Sequence, residues 1–262
     1  MSKKKKVQAA VLSQQMIAPA VYDLWIETEL AKEARAGQFL GIYPADRSHL
    51  LPRPISICQV DRQKGAIRLV YRIAGEGTRE FSGWQMGQRV EVLGVLGNGF
   101  PVEECRNKRV FLLGGGIGIP PMLELAKELK EQDTLPIIIV GYRDNHLFLM
   151  EDLERYGEKV LTATEDGSAG VKGNVMDVLR QKKLKPEVLM ACGPMPMLRA
   201  IKDYARQEGA KAYISLEERM ACGVGACLGC VCRTTQKDRH SHVNNARICT
   251  DGPVFDAQEV EI

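Results

Sequence analysis

Apolar and polar positions alternate in short segments over the first hundred residues of the chain. Six such segments, separated by glycines and polar turns, are Val7–Leu12, Val21–Glu27, Phe39–Ile42, Pro54–Val60, Ala66–Ile73 and Arg89–Leu93. Short strands at this spacing are typical of a small antiparallel barrel. The pattern predicts only one short helix here, near Thr78–Trp84, with Thr78 as a natural N-cap residue.

From Val110 onward the pattern alternates between apolar strands and amphipathic helices. The strand candidates are Val110–Leu113, Pro136–Gly141, Lys159–Thr162, Val188–Ala191 and Ala212–Ser215. Helical periodicity lies between them, in Pro121–Lys130, Asn174–Gln181 and Met195–Gln207. This alternation predicts a parallel sheet with helices on both faces. After Ser215 the chain becomes rich in cysteine and glycine.

Composition narrows the function classes. The chain has 262 residues, 45% of them hydrophobic, and a net charge of only +3, which gives no argument for nucleic-acid binding. No signal peptide is evident, and no apolar stretch approaches the roughly 18 residues that span a bilayer. We therefore expect a cytoplasmic protein. In a reducing compartment, clustered cysteines indicate metal ligands or redox thiols rather than disulfides.

Two glycine-rich turns follow strands of the predicted sheet. In "LLGGGIGIPPM" (112–122), glycines allow close approach to a phosphate and a helix N-terminus offers free N–H groups. The dinucleotide fingerprint G-x-G-x-x-G is absent because Ile119 occupies its last position. In "VLMACGPMPML" (188–198), a second strand enters a Cys-Gly-Pro turn. Both turns lie at the carboxyl edge of the sheet and predict one ligand crevice, although a ligand-free tight turn is the alternative.

The predicted barrel carries its own candidate residues. In "LPRPISI" (51–57), Arg53 suits a phosphate and Ser56 suits a ring or ribose. Strand positions three apart face opposite sides, so both reach one ligand only with a bulge or twist. A surface arginine beside an edge strand is the plainer alternative. In "VYRIAGEGT" (70–78), a Gly-Glu-Gly-Thr turn offers backbone amides to a second phosphate.

Four of the eight cysteines crowd into "RMACGVGACLGCVC" (219–232). Cys222, Cys227 and Cys230 have the C-x4-C-x2-C spacing of plant-type 2Fe–2S proteins, which need a fourth, more distant cysteine. Cys249 can supply it. A zinc site usually has two C-x2-C pairs or histidine ligands, so zinc and free thiols are weaker alternatives. We expect Cys232 to be a spare thiol on the outgoing strand, and Cys58 and Cys105 to be structural.

Taken together, these motifs resemble the ferredoxin–NADP reductase superfamily. With "CTDGPVF" (249–255), the chain is similar to the electron-transfer subunits of type B dihydroorotate dehydrogenases. The resemblance implies a multi-domain fold: an antiparallel FAD-binding β-barrel (1–101), a central α/β parallel-sheet NAD-binding domain (102–214) and a small C-terminal iron–sulfur module (215–262). It also implies a cytoplasmic oxidoreductase of pyrimidine biosynthesis that pairs with an FMN-containing catalytic subunit as a heterotetramer of two of each.

The resemblance assigns residues to each cofactor. FAD contacts would come from Arg53, Pro54, Ile55, Ser56, Val70, Tyr71, Arg72, Gly77 and Thr78. NAD contacts would come from Gly115, Gly116, Gly118, Cys192, Gly193 and Pro194. The 2Fe–2S cluster would take Cys222, Cys227, Cys230 and Cys249. The polar insertion between Cys230 and Cys249, a hairpin over 233–245, is longer than the family pattern suggests.

Such a chain needs no general acid or base, so we assign no catalytic residue, and the four histidines lie outside every motif. A nicotinamide exchanges electron pairs and a 2Fe–2S cluster exchanges single electrons, so a flavin belongs between them. Glu165 and Asp166, after the third sheet strand, would repel the 2′-phosphate of NADP and favour NAD. Arg143 argues mildly for NADP.

Three alternatives stay open at this point. The closest is the flavin subunit of a related ferredoxin:NAD(P) oxidoreductase, sulfide dehydrogenase or hydrogenase. A zinc-stapled nucleotide-binding module without redox activity belongs to another class. The third is a stand-alone NADH-dependent reductase of small acceptors.

Overall fold

A closed six-stranded barrel forms the N-terminal part of the protein. The structure, a computed structural model, describes residues 4–46, 48–237 and 242–262. The barrel strands are β1 (Lys5–Ala18), β2 (Val21–Glu27), β3 (Phe39–Ile42), β4 (Arg53–Asp61), β5 (Ala66–Arg72) and β6 (Arg89–Leu96). They close in the order β1-β2-β5-β4-β3-β6, with all neighbouring pairs antiparallel. The predicted barrel is confirmed.

The short helix of the barrel, α1, spans Glu76–Phe81 and begins earlier than the sequence pattern suggested. Its N-cap is Gly75, so the expectation that Thr78 caps the helix is wrong. Thr78 lies within the first turn instead, where its hydroxyl oxygen accepts hydrogen bonds from the N–H groups of Ala74 (2.9 Å) and Gly75 (3.2 Å). The threonine therefore still ties down the turn, but from inside the helix.

The second part is a seven-stranded sheet covered by helices. Its strands are β7 (Val110–Gly115), β8 (Ile137–Tyr142), β9 (Lys159–Thr164), β10 (Val171–Lys172), β11 (Val188–Cys192), β12 (Lys211–Ser215) and β15 (Val254–Asp256). The order is β10-β9-β8-β7-β11-β12-β15, and only the edge pair β12–β15 is antiparallel. The helices are α2 (Pro120–Lys130), α3 (Met150–Glu154), α4 (Val175–Gln181) and α5 (Met195–Glu208).

The predicted parallel sheet is confirmed, and the chain's last segment adds to it. Strand β15 comes from the cysteine-rich region, yet it pairs with β12, opposite Tyr213–Ser215. Strands β13 (Val231–Thr234), β14 (Asn245–Arg247) and β16 (Val260–Glu261) form a separate small sheet in the order β14-β13-β16. The predicted hairpin is visible in the β13–β14 pairing, whereas residues 238–241 lie outside the described residues.

One apolar core crosses from the barrel into the sheet domain. Barrel residues such as Cys58 and Val70 share a buried cluster with Met122 and Leu125 of α2. Helix α2 buries most of its length, so it acts as the element that joins the two parts. Among the described residues, no helix is long and apolar enough to cross a membrane.

Candidate cofactor sites

A pocket of about 730 Å³ opens between the barrel and the segment after β12. The predicted FAD residues that line it are Arg53, Pro54, Ile55, Ser56, Val70, Tyr71, Arg72 and Thr78. Gly77 does not line it but lies directly under the Arg53 side chain. A Cβ on Gly77 would come 2.6 Å from Arg53 Nε, so a side chain there would force the guanidinium to move.

Arg53 and Ser56 reach the same pocket without a bulge between them. Strand β4 pairs regularly with β3 from Arg53 to Ser56, and its irregularity follows later, between Ile57 and Gln59. Strand positions three apart face opposite sides, but the Arg53 side chain is long enough to reach the pocket all the same. Its guanidinium turns back to donate to the Leu51 carbonyl and lies against the Gly77 backbone.

The third wall of this pocket consists of residues that no nucleotide-binding motif marks. It is made by the segment after β12 together with one proline: Ser215, Leu216, Glu217, Glu218, Arg219, Met220 and Pro253. A signal was available, because residues that follow a parallel strand lie at the edge where ligands bind.

Glu217 lines this pocket and is exposed. The surrounding atoms still raise its pKa by burial, while Arg72 lowers the pKa. Its Oε1 lies 4.0 Å from the Sγ of Cys192. Burial also raises the pKa of the Cys192 thiol far above its usual range, so Cys192 is a neutral thiol and not a thiolate nucleophile.

A second crevice of about 690 Å³ lies at the carboxyl edge of the sheet. Gly115, Gly116 and Pro194 of the predicted NAD set line it. Gly116 has φ +54° and faces open space, so its backbone is free to approach a ligand.

The other three predicted NAD residues, Gly118, Cys192 and Gly193, support the crevice from behind. A Cβ on Gly118 would lie 2.5 Å from the carbonyl carbon of Cys192 and 2.6 Å from the nitrogen of Gly193. Gly118 therefore permits the two glycine turns to touch. Cys192 is fully buried.

Polar side chains that the sequence analysis had not placed also line the second crevice. They are Asp144, His146, Asn174 and Arg180, beside Arg143 and Glu165, which it had weighed. Asp166, the other expected acid, instead bonds the Ser168 N–H (2.9 Å) and hydroxyl (2.6 Å), and these bonds lower its pKa. Of the two acids, only Glu165 faces the crevice.

The two cavities adjoin. Arg72, at the end of β5, and Ile117, in the glycine turn, line both. A ligand in each would therefore meet its neighbour at this pair of residues.

The cysteine loop packs against the barrel beside the first pocket. A Cβ on Gly223 would contact Leu96 at 3.1 Å, and Leu96 pairs with Phe39, which lines the pocket. Gly223 and Gly225 have φ of +66° and +82°, conformations that favour glycine and let the loop turn tightly.

Backbone N–H groups of this loop point at cysteine sulfurs. Val224 and Cys227 donate to Cys222 Sγ, and Gly229 donates to Cys227 Sγ, each at 3.4 Å. Burial works against ionisation of Cys222, but the N–H donors outweigh it and lower its pKa to about 6. Hydrogen bonds of this kind stabilise thiolate ligands.

Cys249 comes to the same place from the far side of the hairpin. Burial, and then the neighbouring Cys230 thiol, raise its pKa to about 11, and Cys222 adds to the effect. The turn that carries Cys249 is fixed by Arg247, whose guanidinium donates to both carboxylate oxygens of Asp251 at 3.0 Å. These contacts place Cys249 near Cys230 and Cys222, while Cys227 is tied to Cys222 by its own N–H.

The remaining cysteines lie elsewhere. Cys232 is on β13, opposite Ala246, and Cys58 and Cys105 are buried in the core. In the described part of the chain, no three His, Cys, Asp or Glu side chains converge as one metal ion requires. A 2Fe–2S cluster does not require three protein ligands around one metal ion, since its four cysteines divide between two irons.

Comparison with known proteins decides the family. The family described as the iron–sulfur cluster binding domain of dihydroorotate dehydrogenase B matches residues 217–261, and the oxidoreductase NAD-binding domain matches 112–203. The dihydroorotate dehydrogenase B (NAD(+)) electron transfer subunit of Bacillus velezensis is 42% identical, covering 98% of this chain and all of the relative. The protein of that name from Streptococcus pneumoniae strain R6 is 40% identical over 94% of both chains.

The chain belongs to this family of electron transfer subunits. A solved structure of an NADH-dependent reduced ferredoxin-NADP oxidoreductase, described for flavin-based electron bifurcation, has a TM-score of 0.84 and 28% identity. The match covers 97% of this chain and 89% of the chain in that structure. The barrel, the nucleotide-binding sheet and the iron–sulfur module therefore recur together.

The residues in place fit the cofactors of this family. The first pocket offers an arginine and a serine hydroxyl on one wall, as a flavin with a phosphate tail requires. Gly116 leaves open space where a pyrophosphate would approach. The cysteine loop already directs N–H donors at two sulfurs.

Proposed function

We propose that this chain is the electron-transfer subunit of an NAD-linked dihydroorotate dehydrogenase. It is an oxidoreductase subunit that carries electrons between NAD(H) and a partner subunit that oxidises dihydroorotate to orotate in pyrimidine biosynthesis. Its cofactors are FAD, NAD and a 2Fe–2S cluster. The observation that carries the proposal is the contiguity of the three sites, with the flavin pocket between the nucleotide crevice and the cysteine loop.

The barrel residues hold the flavin in this proposal. Arg53 pairs with the phosphate part of FAD, supported from below by Gly77, and Ser56 bonds the ring or ribose. Pro54, Ile55, Val70 and Tyr71 form apolar walls that exclude water, and Thr78 holds the turn at the pyrophosphate. FAD bound there supplies the exchange between electron pairs and single electrons.

The sheet residues hold the nicotinamide nucleotide. Gly115 and Gly116 give its pyrophosphate access to the backbone, and Pro194 flanks the nicotinamide end. Gly118, Cys192 and Gly193 keep these two turns in contact. Glu165 disfavours a 2′-phosphate, which supports NAD over NADP.

Cys222, Cys227, Cys230 and Cys249 are the proposed cluster ligands. The spacing of the first three matches the plant-type pattern. Cys249, which lies within hydrogen-bonding reach of the Cys230 thiol, supplies the more distant fourth cysteine. Cys232 is left as a spare thiol on β13.

The partner docks, in this proposal, on the face that carries the cysteine loop and the mouth of the flavin pocket. Leu51 lines the pocket, and Val224 and Leu228 belong to the cysteine loop; like Leu50, all three are large apolar side chains exposed to solvent. A contiguous exposed apolar patch is typical of a protein interface. We propose an FMN-containing catalytic subunit as the occupant and two copies of each chain in the complex.

We further propose three units with the boundaries 1–101, 102–214 and 215–262, in the cytoplasm, where reduced cysteines persist. Strand β15 qualifies the last boundary, since it completes the sheet of the middle unit. The third unit is therefore tied to the second by a strand as well as by the chain.

Co-expression with the FMN-containing catalytic subunit tests the proposal. We expect a stable complex that holds FAD and two irons per electron-transfer chain and reduces NAD⁺ with dihydroorotate. A complex that holds these cofactors but moves no electrons from dihydroorotate would refute it. Reduction of a ferredoxin instead would favour the ferredoxin-linked function of the structural neighbour at TM-score 0.84.

A further inference from the structure

Helix α2 makes an unusual contact with the barrel. The ladder between β3 and β4 runs from Arg53 to Ser56, so within the described part of the chain no strand pairs with the later part of β4 on that side. Helix α2 takes the vacant edge. Glu124 Oε2 accepts the N–H of Val60 at 2.8 Å, and Lys127 Nζ donates to the carbonyl of Val60 at 2.6 Å. Two side chains of a helix thus bond the backbone as a neighbouring strand would.

The contact is buried, and its carboxylate faces two positive charges. The Glu124 side chain is 0% exposed, and Lys127 lies 3.4 Å from its carboxylate. Arg62, half-exposed at the β4–β5 turn, adds a second positive charge at 3.7 Å. Burial raises the pKa of Glu124 to about 7, against the opposing effects of Lys127 and the Val60 N–H. A buried carboxylate is kept only where it has such partners.

Further bonds between the two domains surround this contact. Glu128, one turn along α2, accepts the Ala36 N–H at 3.0 Å. Arg68 of β5 bonds Asp23 in the barrel and Asp152 in α3, both at 2.8 Å, with its side chain only 11% exposed. The barrel and the sheet domain are therefore joined by directional polar bonds in addition to their shared apolar core.

The position of Glu124 connects this contact to the nucleotide site. Helix α2 starts at Pro120, directly after the Gly116–Gly118 turn, and Glu124 follows about one helical turn later. A shift of α2 on the barrel therefore moves the glycine turn relative to the flavin pocket. Reacting groups must meet within roughly 3–3.5 Å, and a misplacement of about 1 Å costs on the order of 100-fold in rate.

We propose that Glu124 and Lys127 are positioning residues that lock the nucleotide-binding turn in register with the flavin pocket by bonding Val60. The inference rests on the proposed function, because it assumes that electrons pass between ligands held in these two cavities. Neither residue lines either of these two cavities, so their effect is on distance and not on binding contacts.

The test uses the full chain loaded with FAD and cluster. In Glu124→Leu, which removes the acceptor of the Val60 N–H, we expect the amide of Val60 to lose hydrogen-exchange protection by about tenfold or more. Lys127→Met removes the donor to the Val60 carbonyl and is judged by the rate of flavin reduction. The limiting rate of flavin reduction by NADH should fall at least about tenfold, while the apparent NADH Kd stays within about threefold, since the crevice is intact. Glu124→Gln keeps an acceptor for the Val60 N–H and should restore most of both properties.

Glu131→Gln is the matched control, because this carboxylate is exposed at the end of the same helix. This variant should leave the hydrogen exchange of the Val60 amide and the rate of flavin reduction by NADH unchanged. If Glu124→Leu does not fold, the flavin-reduction rate of Lys127→Met carries the test, and a wild-type rate in that variant overturns the proposal. The proposal is also overturned if Val60 in Glu124→Leu loses protection while the rate stays at the wild-type value, or if Val60 keeps its protection there. A wild-type chain that NADH does not reduce would refute the proposed function instead, whatever Val60 shows.

Discussion

Replacing Gly118 with alanine tests whether the two glycine turns must touch. The added Cβ would lie 2.5 Å from the Cys192 carbonyl carbon and 2.6 Å from the Gly193 nitrogen, both backbone atoms. Ordinary contact begins near 3.4 Å, so the turns must separate by about 1 Å. Overpacking of this kind costs about 1–3 kcal/mol.

Two measurements follow this change. Calorimetry should show a thermal midpoint about 2–12 °C lower, since 1 kcal/mol corresponds to roughly 2–4 °C for a chain near this size. Stopped-flow reduction of the flavin by NADH should slow by about 10- to 100-fold, because a shift of about 1 Å acts on the nucleotide site.

The control is Gly83→Ala, whose Cβ would meet its nearest neighbour at 3.5 Å, an ordinary contact. This variant should melt and react like the wild type. The reasoning fails if Gly118→Ala also keeps the wild-type midpoint and rate, since the backbone contact would then be dispensable.

Four further predictions concern single side chains. Cys249→Ser should lose the cluster absorbance and Cys232→Ser should keep it; intact absorbance in the first variant would make Cys232 the fourth ligand. Glu165→Gln should lower the preference for NADH over NADPH in kcat/KM by about tenfold, the equivalent of 1.4 kcal/mol, and an unchanged ratio would remove Glu165 as the determinant. Arg53→Ala should weaken FAD binding by about 10- to 100-fold, the range of a charge-assisted hydrogen bond, as fluorescence titration of the apoprotein would show. Because burial raises the pKa of Glu124 from 4.5 in the unfolded chain to about 7, the folded state binds the extra proton, so wild-type stability should fall as pH rises from about 4.5 to 7. Urea unfolding of Glu124→Gln should not show that part of the decline.

The local sequence pattern was sufficient to predict the elements that have a regular hydrophobic period. The six barrel strands and five sheet strands were predicted because alternation and buried apolar runs are written in consecutive residues. The cap of α1 was misjudged because threonine serves either at the N-cap or inside the first turn. Which role it takes depends on where the preceding strand ends.

Some residues of the candidate sites belong to short motifs, whereas others are brought to the sites only by the fold. Glycine turns and the cysteine spacing are short motifs whose chemistry follows from the residues themselves. The wall formed by Glu217 and its neighbours has no such motif, and only the fold brings it against the barrel. Likewise, nothing local distinguishes Gly118, which supports the crevice, from Gly116, which lines it.

The sequence by itself determined the types of element, and it predicted the glycine-rich turns and the Cys222–Cys230 spacing, because each depends on neighbours within about ten positions. The tertiary structure decided which groups meet across long separations. Strand β15 joins β12, Arg72 and Ile117 lie where the two cavities adjoin, and Glu124 bonds Val60. These contacts depend on how two domains pack, and packing is fixed by the shape of the whole core and not by any local pattern.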